Sequence, residues 1–482
     1  MIHATDINPA ASGVIGSRAA TPADWRDAVE LALAEGWVFA GLHPIDGRHA
    51  PGVRMVLRRG ADHLLLTCRA VDRVLPSVVE LLPAAVWDER EAHDLYGWNF
   101  EGHEPLRPLA DHRVPTAEWT PAVDGRDVYQ VAVGPIHAGV IESGHFRFHV
   151  VGERILHLDL RLFYKHRGLE AAAEGRPYGE AIAYAQRACA ADAVTNMVAY
   201  AQACESALGL WPQTDVRRAR TLLLELERLY NHLNDIAAVC AGVGFATGNM
   251  LFASLKERAQ RLNAELTGHR FLFDTVTVGG SELRVHEELA RQARSTIDGL
   301  EADFRRGWRE LQFAGSFQDR LDGVGVVDAI DALRLGAVGP SARATGLGVD
   351  VRCHAPRLWY QGFRPATVEP ASGDVAARLQ LRGEELHATF ALVRSLLGRA
   401  IEPATTGSYR QASRLGVSSV ESPRGQTTCA VELDAGNLVR LRLRTGSYAN
   451  WPLLALSVRD NLLPDFPLVN KSFELCYACV DR

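Results

Sequence analysis

Between Asp215 and about Val239 the apolar residues Leu222, Leu226, Leu229, Leu233 and Ile236 recur at spacings of three and four. That rhythm puts them on one stripe of a long α-helix. The stripe must be covered by other elements, so this segment places a helical bundle at the centre of the fold. Glu225 and Arg228 stand three residues apart, within reach of each other on the same helix. Two more helical patterns, His286 to about Phe313 and Val375 to Leu397, supply neighbours. Short β pieces flank the bundle: Gln130 to Val133 and Phe146 to Val151 before it, and Cys429 to Leu433 and Leu438 to Leu443 after it, the last two around the turn Asp434-Ala-Gly-Asn437.

The N-terminal part reads differently. A helical pattern from Asp24 to Ala34 follows Thr21-Pro22, and two β-rich runs, Val53 to Leu57 and His63 to Cys68, form a hairpin. A short helix is expected at Ser77 to Leu82, before Pro83. A charged one, from Trp87, is closed by Gly97. The run Arg107 to Pro121 bears prolines and no periodicity, which marks a boundary. The expected fold class is α+β. A small α+β domain spans 1–112, a linker 113–130, and a mainly helical domain with small β pieces at its ends 131–482.

At 482 residues the chain exceeds one ordinary core, and its net charge of −6 excludes a nucleic-acid binder. No window holds about 18 consecutive apolar residues, so no membrane span is expected. The opening MIHATDINPAASG lacks the basic and apolar regions of a secretory signal, which makes the cytoplasm the expected compartment.

Eight cysteines in a chain of this length are not a disulfide framework. Only Cys476-Tyr-Ala-Cys479 has close ligand-like spacing. Two intervening residues let two thiolates converge on one metal, although a pair of buried thiols has the same spacing. Cys189-Ala-Ala-Asp192 carries one cysteine with an aspartate where a second would fall, and local periodicity alone makes Cys189 a small buried residue. Gly134-Pro-Ile-His137 and Glu142-Ser-Gly-His145-Phe-Arg147 combine groups suited to proton relay or polar substrate contact, or to a solvated hairpin. Arg343, Asp350 and Arg352 form either a structural ion-pair network or a guanidinium site beside a cofactor.

These blocks stand in a known order. Trp87-Asp-Glu-Arg-Glu-Ala-His-Asp-Leu-Tyr-Gly-Trp-Asn-Phe-Glu-Gly-His103 with Pro105-Leu-Arg-Pro-Leu109 resembles the complex I 30-kDa-type subunit. Gly134 to Phe148, Tyr164 to Glu170, Glu225 to His232, Gly339 to Gly346, Asp350 to Arg352 and Glu421-Ser-Pro-Arg-Gly425 resemble group 4 NiFe-hydrogenase large subunits and, more distantly, the complex I 49-kDa-type subunit. The fusion resembles the large subunit of formate hydrogenlyase-like complexes.

The resemblance implies a peripheral oxidoreductase subunit at the cytoplasmic face of the cell membrane. It would be partnered by an iron–sulfur small subunit, which holds the cluster, and by integral-membrane subunits that move ions. It implies a Ni-Fe centre on Cys189, Cys476 and Cys479, with Asp192 in place of the fourth, bridging cysteine. Glu142 would be the proton relay. Arg352, His137 and His145 would lie near the cavity that takes quinone in complex I relatives, which serve NADH:quinone chemistry. The missing thiolate keeps two rivals open, a nickel-free subunit that reduces or senses quinone and a scaffold without chemistry.

Overall fold

The computed structural model describes residues 15–45, 50–115, 119–121, 123–137, 142–405, 408–409 and 412–482. It is 45% helical and 21% strand with several small sheets, which makes it α+β, as expected. In the N-terminal sheet, Val53, Met55 and Leu57 on one strand and Leu64, Leu66 and Cys68 on its antiparallel partner face one core, with Trp25, Val29 and Ala32 of the helix Trp25–Ala34. Side chains alternate along a strand, so Val56 and Leu65 face the other way. They pack with Ala40 against Val417 and Ala430 of a three-stranded antiparallel sheet formed by Leu415–Ser422, Gly425–Asp434 and Asn437–Arg444. Polar neighbours on that face pair across too: the Arg58 guanidinium donates to Gln426 at 2.9 Å, and His63 lies 3.0 Å from the Ser419 hydroxyl. In the sheet's second turn Ala435 and Gly436 both have positive φ, 49° and 84°, as a tight two-residue hairpin requires.

No helix forms at Ser77 to Leu82. That stretch is a turn running into the 3₁₀ helix Pro83–Ala85, because the Glu89 carboxylate accepts both the Ser77 hydroxyl at 2.7 Å and the Val78 amide at 2.9 Å. Glu89 belongs to the expected helix, Val86–Tyr96, which ends at Gly97 in the left-handed region. The same helix sends Asp88 to Arg444 and Glu91 to both Arg442 and Arg482, all buried. Beyond it, one Asp94 oxygen accepts the amides of Leu109, Ala110 and Asp111, which ties down the proline-bearing run.

The larger core is built on Ala193–Leu208, Thr214–Gly242, Ala246–Thr267, Glu287–Phe313 and Val375–Leu396. Thr214–Gly242 is the central helix, and the five residues of its apolar stripe are no more than 1% exposed. Its charged face is buried as well, because Arg220, Glu225, Arg228, His232 and Asp235 each find an ionic partner inside the protein. Among the described residues no helix is long and apolar enough to cross a membrane.

Candidate metal centre

Two loops far apart in sequence meet beside the central helix. The first, 187–192, joins Tyr178–Gln186 to Ala193–Leu208. Its backbone is held from three sides: Arg167 donates to the carbonyls of Arg187 and Ala188, the Tyr230 hydroxyl to those of Ala190 and Ala191, and Asn231 to that of Ala191. The second loop follows Phe466–Phe473, which stops where Glu474 turns left-handed (φ 48°). Asp481 anchors its far end by accepting the amides of Phe163 and Lys165 at 2.7 and 2.9 Å. The Cys476 amide donates to the Ser447 hydroxyl at 3.0 Å, and the Ala478 amide to Glu142 at 2.8 Å.

The result is a cluster of three sulfurs. Cys189 and Cys476 are 3.1 Å apart, and the sulfurs of Cys189, Cys476 and Cys479 all lie within 4.8 Å of one another. Asp192 precedes the helix Ala193–Leu208 but does not cap it. Its carboxylate instead accepts the Cys479 thiol at 3.3 Å, and its other oxygen is buried with no partner. Hydrogen bonds from Cys189 and Cys479 lower the Cys476 thiol well below its ordinary pKa. Burial pushes Asp192 up to about 6, although Arg424 pulls the other way, and pushes Glu227 up to about 8, helped by the Asp192 charge. Glu142 is raised by burial and by the Cys476 charge.

Cys476 borders a cleft of about 480 Å³, whose lining includes Glu142, Tyr230, Arg424 and Glu474. His137, His145, Arg343 and Arg352 are not part of that lining. His137 lies 2.7 Å from the Gly144 carbonyl, and His145 packs edge-on to Trp119. Arg352 grips Asp350 at 2.7 Å, and Arg343 pairs with Asp350 and Glu421 at 3.2 and 2.8 Å and with Glu385. They are the ion-pair network that mixed charges form when buried. That network reaches the cluster through Glu385 and His232, 2.7 Å apart, then Asp235, 3.6 Å from His232 and 2.7 Å from Arg424. Cys353 does not join the sulfurs. Arg424 and Glu227 were not among the sequence candidates. Both sit inside blocks that carry the family resemblance, Glu421 to Gly425 and Glu225 to His232, but nothing local distinguishes them from ordinary surface charges.

Two family descriptions match: the 30 Kd subunit of respiratory-chain NADH dehydrogenase over residues 22–119, and its 49 Kd subunit over 242–414. Hydrogenase-4 component G of Escherichia coli (strain K12) is 30% identical over 88% of this chain and 79% of its own length. The chain belongs to the complex I-related hydrogenase large subunits. It is an oxidoreductase subunit in which the 30-kDa and 49-kDa types are fused. Another family member, formate hydrogenlyase subunit 5 of the same organism, is 31% identical over 84% of the chain and 77% of its own length. A subunit of the NADH-quinone oxidoreductase of Phocaeicola vulgatus is 27% identical over 78% of the chain and 79% of its own length. A subunit of an archaeal respiratory complex, the membrane-bound sulfane sulfur reductase, superimposes with a TM-score of 0.67 at 27% identity, covering 74% of this chain and 99% of that one.

Proposed function

We propose that the chain is the large subunit of a membrane-associated, hydrogenase-like complex, in which electrons from an iron–sulfur subunit reach a metal centre on Cys189, Cys476 and Cys479 and drive ion movement through integral-membrane subunits. The observation that carries this reading is the convergence of three sulfurs from loops 287 residues apart, one of which, Cys476, borders an open cleft, in this family's fold. Sulfur donors suit a thiophilic metal, and the orphaned oxygen of Asp192 adds a polar atom with nothing else to bind. Three thiolates match three of the four positions that a Ni-Fe centre uses. Bound there, such a centre would supply reversible two-electron chemistry on hydrogen.

The chain's own residues have separable tasks in this reading. Cys476 presents its sulfur to the cleft. Glu142 borders the same cleft, with its Oε2 on the Ala478 amide, so it can hold a proton one residue from the sulfurs' loop. Asp192 accepts the Cys479 thiol at 3.3 Å and so fixes that sulfur in the cluster. Arg424, fixed on both Asp235 oxygens at 2.7 and 2.9 Å, keeps a positive charge at the centre. His137 holds the Gly144 carbonyl, two residues past Glu142, while Arg343 and Arg352 stiffen the interior through Asp350, Glu421 and Glu385. The subunit would sit peripherally on the cytoplasmic face, with the N-terminal unit, about 1–112, and the larger unit from 131 meeting across 113–130.

The test is the assembled complex purified without oxygen. Nickel at one per large subunit, with dye-linked hydrogen turnover, is the expected result. Quinone reduction without nickel would replace it with the complex I-like alternative, and neither activity would leave a scaffold.

A further inference from the structure

The family's metal centre and this chain's donors disagree at one place, and the geometry resolves the disagreement. Three sulfurs around a single ion at bonds of about 2.3 Å stand about 3.8 Å apart. The observed sulfurs, all within 4.8 Å and two of them at 3.1 Å, bracket that spacing and need only small shifts to share one ion. The group that closes within this distance is the three cysteines alone, and Asp192 stands beside it, bonded to Cys479 only. Arg424, which lines the cleft with Cys476 and whose charge acts on Asp192, is a cation with no lone pair to offer and opposes a second metal. Asn231, the neighbouring oxygen donor, is turned to Arg424 at 3.3 Å. Among the described residues a second ion therefore has one sulfur to share and, beside it, only the unpaired oxygen of Asp192, a hard donor that replaces a thiolate poorly.

We propose that Cys189, Cys476 and Cys479 by themselves hold one thiophilic divalent ion, without iron, with Asp192 outside its coordination sphere. Asp192 acts as a positioning residue that contacts the Cys479 sulfur at 3.3 Å without ligating the ion. Three protein ligands leave a coordination position open, and Cys476 is the sulfur that borders the cleft, so that position takes its ligand from there. This inference rests on the reading of the cluster as a metal centre and narrows it to a single ion.

The experiment uses the intact complex. Its metals are counted by mass spectrometry, the ion is then stripped with a chelator, and Co²⁺ is titrated back while sulfur-to-cobalt absorption is followed. One ion per large subunit is expected, with no iron beyond that of the partner's clusters. Asp192→Asn should keep that stoichiometry and the same absorption per cobalt, with at most about a tenfold loss of affinity. Cys189→Ser and Cys479→Ser should lower the absorption in proportion to the sulfur removed. Iron equimolar with the first ion in the large subunit would overturn the single-ion inference and leave the metal-centre reading standing. So would loss of the cobalt spectrum in Asp192→Asn. A parent complex that holds no ion and takes up no cobalt would overturn both.

Discussion

Replacing Glu227 by Gln should change how stability depends on pH. Glu227 is fully buried on the central helix and accepts the Val194 amide at 2.6 Å, the Thr195 amide at 3.1 Å and the Thr195 hydroxyl at 2.5 Å. Burial first, and then the Asp192 charge, raise it from an ordinary 4.5 to about 8. The folded protein therefore keeps a proton that the unfolded chain releases above pH 4.5. Stability from this group is fully present below that pH and is lost as pH rises toward 8. A shift of that size is worth on the order of 5 kcal/mol across the whole window, and about 3 kcal/mol of it is lost by pH 7. Gln cannot ionise. Its amide satisfies Thr195 or Val194 but not both amides, a pH-independent cost of roughly 1–3 kcal/mol. Urea midpoints for parent and Glu227→Gln, measured from pH 5 to 8, should converge and then cross as pH rises. Curves that stay parallel through the window would refute the reasoning, because a carboxyl ionised throughout gives no slope.

Asp235→Asn strips the shared carboxylate from Arg382 and Arg424, both buried, and should cost about 3–5 kcal/mol in denaturant unfolding; a loss under about 1 kcal/mol would contradict the pairing. Gly416→Ala places a methyl 1.9 Å from the Ala203 carbonyl, where the sheet backs onto Ala193–Leu208, and should lower the melting temperature through overpacking of about 1–3 kcal/mol, whereas an unchanged melting curve would mean the sheet can slide. Glu91 is pulled well below the carboxylate range by Arg442 and Arg482 against the opposing effect of burial, so its contribution is present above about pH 4.5 and is lost as pH falls. Hydrogen exchange should show Val86–Tyr96 and the strand Asn437–Arg444 loosening together on acidification in the parent, and already at neutral pH in Glu91→Gln.

What the sequence made legible follows the range of the interactions involved. The apolar stripe of the central helix, the hairpin at Gly60 and the Asp434 to Asn437 turn depend on neighbours a few residues away, and each forms where spacing and turn chemistry put it. Ser77 to Leu82 departs from its local pattern because Glu89, on the next helix, competes for its backbone. The charged face of the central helix is the larger case. Read locally, Arg228, His232 and Asp235 are solvent-facing, but their partners Glu385 and Arg424 lie more than 150 residues away, and only the closed fold makes them interior. Cys189 belongs to the same class. By periodicity it is one more small buried residue, and the family resemblance alone ties it to Cys476, 287 residues on. The departure at Asp192 is visible in the sequence, but its consequence is not. A missing ligand can be replaced from another loop, and Cys353, directly after Arg352, is a sulfur that another loop offers. Cys353 stays out of the cluster, and Asp192 keeps one oxygen on Cys479 and the other unpaired. The fold has therefore brought three sulfurs together and set beside them a group that holds protons more readily than soft metals.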